Sequence, residues 1–226
     1  MNLPTLANSS NQPSVISGRK LILIIGILGL ILPILLIVVS ISIGNCKVVH
    51  DSISAYYHTI SRNIFVGTLC ALSLSLLVYK GYSKFDDFLA NIGAMCALGV
   101  AFFPTSVIVN DCISRGVEPS IQSYLHFASA GILFSIFAAF SLFLFTRSDK
   151  TKTPLKTKEN FIYKVCGILI TSSIICIFIW IMIAEDNKPP GIKNLKPVFW
   201  LETIALWSFS ASWLTKSKIF SSENEN

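Results

Sequence analysis

An all-α integral membrane protein, built as a bundle of six transmembrane helices with both termini cytoplasmic, is the fold this sequence predicts, and three observations carry it. The 226 residues contain six apolar stretches, at about 21–44, 63–79, 88–104, 124–146, 161–184 and 198–214, each long enough to cross a bilayer. Composition agrees: 53% of residues are hydrophobic, only 13% are charged, and the mean hydropathy is +0.66. The basic residues, finally, divide unevenly between the two sides that six spans define. Segments that are apolar on all faces must satisfy their own backbone in hydrocarbon, so they are expected as helices.

The first stretch, 21–44, runs twenty-four residues without a charge, more than the roughly 20 needed to cover ~30 Å of hydrocarbon. Pro33 is expected to bend it near its middle. Arg19 and Lys20 precede it as they would a secretory signal, but it is long for a signal h-region, and Ile43, Gly44 and Asn45 make a poor cleavage site. It is therefore read as a permanent span. Before it, residues 1–18 are polar and rich in Asn, Ser and Pro, which predicts a disordered cytoplasmic tail. The single membrane domain is 19–218, and 219–226 forms a second tail.

An even number of spans puts the N-terminus, the second and fourth connections and the C-terminus on one side. That side holds Arg19, Lys20, Lys80, Lys84, Arg147, Lys150, Lys152, Lys156, Lys158, Lys164, Lys216 and Lys218, twelve of the eighteen basic residues. Lys47, Arg62, Arg115, Lys188, Lys193 and Lys196 fall opposite, so the positive-inside rule makes the richer side cytoplasmic. The +6 net charge is thus spent on orientation and forms no aromatic-interleaved patch for nucleic acid. Aromatics fit the same frame, with Tyr56, Tyr57, Tyr124, Phe199 and Trp200 near the outer boundary and Tyr79, Tyr82, Tyr163 and Trp213 near the inner one. Trp200 and Trp213 lie about 20 Å apart along a helix and would mark the two interfaces of the last span. Asp86 and Asp87 sit at the start of the third span, where a helix N-terminus favours negative charge. The Phe134, Phe137 and Phe140 series is expected to be packing or lipid contact, and 148–160 a solvated loop near anionic lipid.

Of six cysteines, Cys70, Cys96, Cys166 and Cys176 lie inside spans, as small apolar packing. Only Cys46 and Cys112 fall in outer connections, where an oxidising compartment allows a disulfide tying the first outer loop to the third. The alternative is two free thiols with Cα atoms too far apart to bridge.

The sharpest polar signal is DSISAYYHTISRNIFVG, 51–67, leading into the second span. It gathers Ser54, Tyr56, Tyr57, His58, Arg62 and Asn63 at the outer boundary. Continuing the helix back through His58 and Arg62, four residues apart, would stack both on one face turned into the bundle. His126 opens the fourth span, Glu202 lies four residues into the sixth, and Asp111 sits in the third outer connection. Boundary and intramembrane charges are functional candidates by default. The candidate pocket is therefore Ser54, Tyr56, Tyr57, His58, Arg62, Asp111, His126 and Glu202, opening outward between spans two, four and six, with Arg62 and Glu202 as the first pair to expect. The bland alternative is interfacial groups that snorkel to water or clamp three spans together. No metal or cofactor is expected. Zinc is the one metal the side chains admit, through His58, His126 and Asp111 with His50 on the same side, yet no HxxxH or HExxH spacing supports it.

The segments SISAYYHTISRNIFVGTLCAL, GVAFFPT, HFASAGILF and LETIALWSFSASWL resemble the signature regions of an uncharacterised family of bacterial six-span inner-membrane proteins. The order of these motifs is more distantly similar to that of the DRAM-like superfamily of eukaryotic six-span proteins. Ser54, Tyr56, Tyr57, His58, Arg62, Pro104, His126 and Glu202 are the matching positions. The resemblance implies a bacterial cytoplasmic membrane and the six-span fold, and no activity. Ser54 and His58 also stand at the Ser-x-x-x-His spacing of ceramidase-like membrane hydrolases, although the paired HxxxH of a seventh span in those enzymes is missing here. Three functions follow as expectations: a membrane protein that binds a lipid or a membrane partner through the outward pocket, a membrane-embedded metal-dependent lipid hydrolase, or a small-solute transporter. Membrane lipids are the expected partners in each, nucleic acid in none, and oligomeric state is left open.

Overall fold

The computed structural model describes residues 18–46, 48–108, 112–113, 116–147, 154–183, 187 and 189–217. Of the tails expected at 1–18 and 219–226, only Gly18 is described, and it opens the first helix. Helices α1 (Gly18–Ser42), α2 (Arg62–Val78), α3 (Lys84–Phe102), α4 (Ile121–Ala139), α5 (Pro154–Met182), the short α6 (Pro190–Asn194) and α7 (Pro197–Lys216) make up the bundle. A π-helical turn, Phe140–Leu144, prolongs α4, and a 3-10 helix, Ser54–His58, interrupts the first connection. The six long helices pack on one another in chain order, and α7 packs on both α5 and α1, which closes the ring. Val107 and Val117 form an isolated antiparallel β-bridge in the α3–α4 connection.

Four helices are long and apolar enough to cross a membrane: α1, α3, α4 with its π turn, and α5. Helix α2 is apolar but 17 residues long. Helix α7 is less apolar, carrying Glu202, Lys216 and the buried Ser208, Ser210 and Ser212. The outward faces are as apolar as the inward ones, which is the reverse of a water-solvated bundle. Helix α1 turns Ile27, Ile34, Val38 and Ile41 outward while burying Gly26, Gly29 and Ser40; α5 turns out Ile168, Ile175 and Phe178. The two buried glycines let α7 approach closely, since a Cβ on Gly26 would lie 3.1 Å from the Leu214 backbone nitrogen.

Local chemistry accounts for the helix ends. Ser83 caps α3, its hydroxyl accepting from Asp86 N and donating to Asp86 Oδ1 at 2.7 Å, a reciprocal cap. Pro104 stops α3, since the residue before a proline is driven out of the helical region. Helices α5, α6 and α7 start with Pro154, Pro190 and Pro197, where a missing N–H goes unmissed. Helix α5 begins early, so 154–160 is helical and the solvated loop expected at 148–160 is shorter than its composition suggested. Lys156, Lys158 and Glu159 lie on the first turns of α5, while 148–153 falls outside the described residues.

The boundary aromatics also need correcting, since Tyr56 and Phe199, expected at the outer boundary, are fully buried. Trp213, Tyr79 and Tyr163 are buried, not belted around the bundle. Trp213 meets Tyr79, Phe140, Phe145 and Phe209 at ring-centroid distances of 5.1 to 5.6 Å. The rings around Trp213 fill the interior of the bundle and do not line its outer face.

Candidate functional site

The polar site lies at the end of the bundle where the first connection, the α3–α4 connection and the start of α7 meet. The first connection leaves α1 through Asn45, whose φ is +52°, and is pinned at Cys46, which forms a disulfide with Cys112 across Cα atoms 5.5 Å apart. It then docks on the first turn of α7. Lys196, held in the left-handed region at φ +54°, pairs with Asp51 at 2.6 Å, and the Phe199 N–H donates to Asp51 O at 3.0 Å. That last bond satisfies one of the donors a helix N-terminus leaves unpaired. One residue pair further in, Ile53 N–H donates to Glu202 Oε2 at 2.6 Å. Glu202 thus takes a backbone amide as its partner.

Arg62 is not that partner. Its guanidinium donates to the Tyr57 hydroxyl at 2.7 Å and stacks over the Tyr57 ring at 4.4 Å, both on the exposed side. The helix does not run back from Arg62 to His58, because Thr59 is extended and its hydroxyl donates to Tyr56 O while accepting from Ser61 N. A hydroxyl side chain bonding its own neighbouring backbone competes with the helix in this way. His58 and Arg62 consequently share no helical face, and the expected Arg62–Glu202 pair is replaced by two separate contacts.

Ser54, at the start of the 3-10 helix, does enter the interior. Its Oγ lies 2.9 Å from His126 Nε2, and His126 Nδ1 lies 2.8 Å from Phe103 O. A carbonyl only accepts, so Nδ1 carries the proton and Nε2 is left to accept the Ser54 hydroxyl. His58 Nε2 donates to Thr105 O at 2.7 Å. The Phe103–Thr105 exit from α3 is therefore held by both histidines. Tyr56 is fully buried between His50 and Phe199. Asp111 lies outside the described residues. Each histidine gives one ring nitrogen to a carbonyl, His126 Nδ1 to Phe103 O and His58 Nε2 to Thr105 O, and keeps its other nitrogen as an acceptor.

Beneath Ser54 and Glu202 runs a cavity of about 40 Å³ in the bundle interior. Its walls are Leu32 of α1, Leu69 and Leu72 of α2, Val100 of α3 and Leu133 and Phe137 of α4, and its polar atoms come from Ser54, Thr68 and Glu202. That is room for a few waters or the end of an apolar chain, with an acid at one side and hydrocarbon walls around it. The cavity was not legible in the sequence, because Leu, Val and Phe at these positions look the same whether they meet one another or enclose a void.

Two further features escaped the sequence reading. Asp86 is buried, taking bonds from Ser83 Oγ, from Tyr82 N at 3.0 Å and from Arg147 at 3.4 Å, so it does more than favour a helix dipole. The Ser83-x-x-Asp86 spacing is a capping pattern that signals the first of these. His50, in the first connection, is buried with its Nε2 3.6 Å from Cys46 Sγ. No family model, curated protein or solved structure matches this chain.

Proposed function

We propose that this protein is a six-span protein of a bacterial cytoplasmic membrane, both ends of the chain cytoplasmic, that holds the apolar chain of a membrane lipid in its interior cavity. The observation that carries the reading is the cavity itself: hydrocarbon walls with Glu202 and Ser54 at its head. At about 40 Å³ the cavity admits only the end of an apolar chain, so a lipid chain would widen the space between α1, α2, α3 and α4 to enter further toward Glu202 and Ser54. The hydrocarbon outer faces of the bundle and the unequal distribution of lysine and arginine support the membrane setting and the orientation. Native mass spectrometry of the purified protein tests the binding. Lipid carried by the wild type should be lost in Leu69→Trp, which fills the cavity, and reduced in Glu202→Gln. Equal lipid in all three would count against it.

A second reading has its own observation. The hydrogen-bond order Phe103 O, His126, Ser54 Oγ is that of a base oriented to take a proton from a nucleophile. On this reading Ser54 attacks an acyl ester, His126 Nε2 takes its proton and returns it to the leaving alcohol, and water then releases the acyl group. This hydrolase is a serine enzyme and differs from the metal-dependent one that the histidines first suggested. Labelling by a fluorophosphonate that disappears in both Ser54→Ala and His126→Gln would favour it, and a wild type that stays unlabelled would dismiss it.

A further inference from the structure

The disulfide at the polar end has unequal sulfurs. Cys46 is 3% exposed, whereas Cys112 is only partly buried. Beside the buried sulfur stands His50, itself 1% exposed, with Nε2 3.6 Å from Cys46 Sγ and no hydrogen-bond partner for Nδ1. The imidazole packs edge-on against the Tyr56 ring, centroids 4.7 Å apart. A buried imidazole with an unsatisfied nitrogen costs folding free energy, and such groups call for a reason. A tie that merely joined two loops would gain nothing from a base at one sulfur.

We propose that Cys46–Cys112 is a redox-active disulfide, in which Cys112 is the sulfur attacked by an incoming thiolate and His50 is the acid–base partner of Cys46. In the opening direction a thiolate, RS⁻, forms a bond to Cys112 Sγ as the Cys46–Cys112 bond breaks. The electron pair leaves on Cys46 Sγ; the proton lost to water when RSH ionised to RS⁻ is taken up by His50, which passes it to Cys46, so that the thiol forms and the imidazole returns to its neutral state. The products are the Cys112–S–S–R mixed disulfide and the Cys46 thiol. A second thiolate then releases Cys112, so two equivalents of the external thiol are oxidised to RSSR while the pair is reduced. Closing is the reverse, with His50 Nε2 removing the Cys46 proton so that the thiolate can attack the mixed disulfide.

The assignment of roles follows from position. Exchange needs access to the sulfur attacked and a stabilised leaving group at the other. Cys112 is the less buried of the two residues. Cys46, away from water, would hold its proton tightly without a base beside it. Burial pushes the His50 imidazole below its ordinary value, Asp51 opposing this and Lys196 adding to it, so it rests in the neutral form that can accept. The clasp ties the first connection, which carries Ser54, to the third, whose first residues hold His126 and His58. Its opening therefore loosens the wall of the polar site. This inference stands apart from the lipid-binding proposal and does not depend on it.

Glutathione is the probe. The folded protein in lipid nanodiscs is exposed to reduced glutathione, quenched with an alkylating agent and mapped by peptide mass spectrometry. The expected product carries glutathione on Cys112 and the alkyl group on Cys46. Re-closure of that adduct, followed without alkylation, should be on the order of a hundredfold slower in His50→Gln, with the thermal midpoint of the variant recorded alongside to separate a kinetic effect from misfolding. A disulfide that reacts only after denaturation, or glutathione found on Cys46, would overturn the proposal. Equal re-closure rates in wild type and a folded His50→Gln would remove the role of His50. If His50→Gln does not fold, the mapping on the wild type alone decides which sulfur is attacked.

Discussion

The two ends of the bundle solve the same problem in opposite ways. Both bring ionisable and aromatic side chains inside a ring of apolar helices. At the Asp86 end, rings pack on rings: Trp213 is enclosed by Tyr79, Phe140, Phe145 and Phe209, and Asp86 takes donors from its own helix cap and from Arg147. At the disulfide end, side chains are satisfied by connection backbone instead: Glu202 by Ile53 N, His126 by Phe103 O and His58 by Thr105 O. Helix packing closes the first end, whereas the second is roofed by loops and encloses a cavity. The contrast suggests that stability is concentrated at one end and binding at the other.

The largest effect should come from removing the centre of the aromatic end. Trp213→Ala is expected to lower stability by about 3–5 kcal/mol, read as a fall in thermal midpoint in detergent, while bound lipid in the surviving folded protein stays with the cavity. A lipid loss as complete as in Leu69→Trp would merge the two ends functionally. Asp86→Ala comes next, at about 2 kcal/mol, because Tyr82 N and Ser83 Oγ lose their acceptor. Hydrogen exchange should show the opening around the start of α3 and little change at 51–58.

At the other end the expected signature is pH dependence. His50 is buried with a lowered affinity for protons, so below its ordinary value of 6.5 the unfolded chain binds a proton that the folded one refuses. Stability from this site is then complete above that pH and falls as pH drops toward the lowered value. Thermal midpoints should decline over that window in the wild type, and the decline should shrink in His50→Gln. The smallest effect is assigned to Arg62, the residue the sequence placed at the centre of the pocket. Arg62→Ala should leave stability within about 0.5 kcal/mol of the wild type and leave bound lipid unchanged, since its contacts are with Tyr57 on the exposed side.

What the sequence made legible follows from what each signal depends on. Helices are local, so hydropathy alone predicted apolar segments that the structure contains as helices, although α5 starts at Pro154 where 161 was expected. The gathering of Ser54, His126 and Glu202 was legible because polar groups at one depth of an apolar bundle have few places to go. Their partners were not, since a backbone amide such as Ile53 N leaves no mark in the residue types. Arg62 misled for the same reason: opposite charge suggested Glu202, whereas Thr59 broke the helix that would have aimed it inward. Trp213 looked interfacial from its spacing to Trp200, but spacing reports depth and not direction. His50 and the cavity depend on packing between segments far apart in sequence, which no window along the chain records.

The central claim is that the interior beneath Ser54 and Glu202, and not the outer surface, receives a lipid chain. Photo-crosslinking with a fatty acid carrying a diazirine along its chain, followed by peptide mapping, measures this directly. The account predicts adducts on cavity residues such as Leu69, Leu72 and Phe137, abolished in Leu69→Trp. Adducts confined to outward residues such as Ile168 and Phe178, unchanged in that variant, would contradict it.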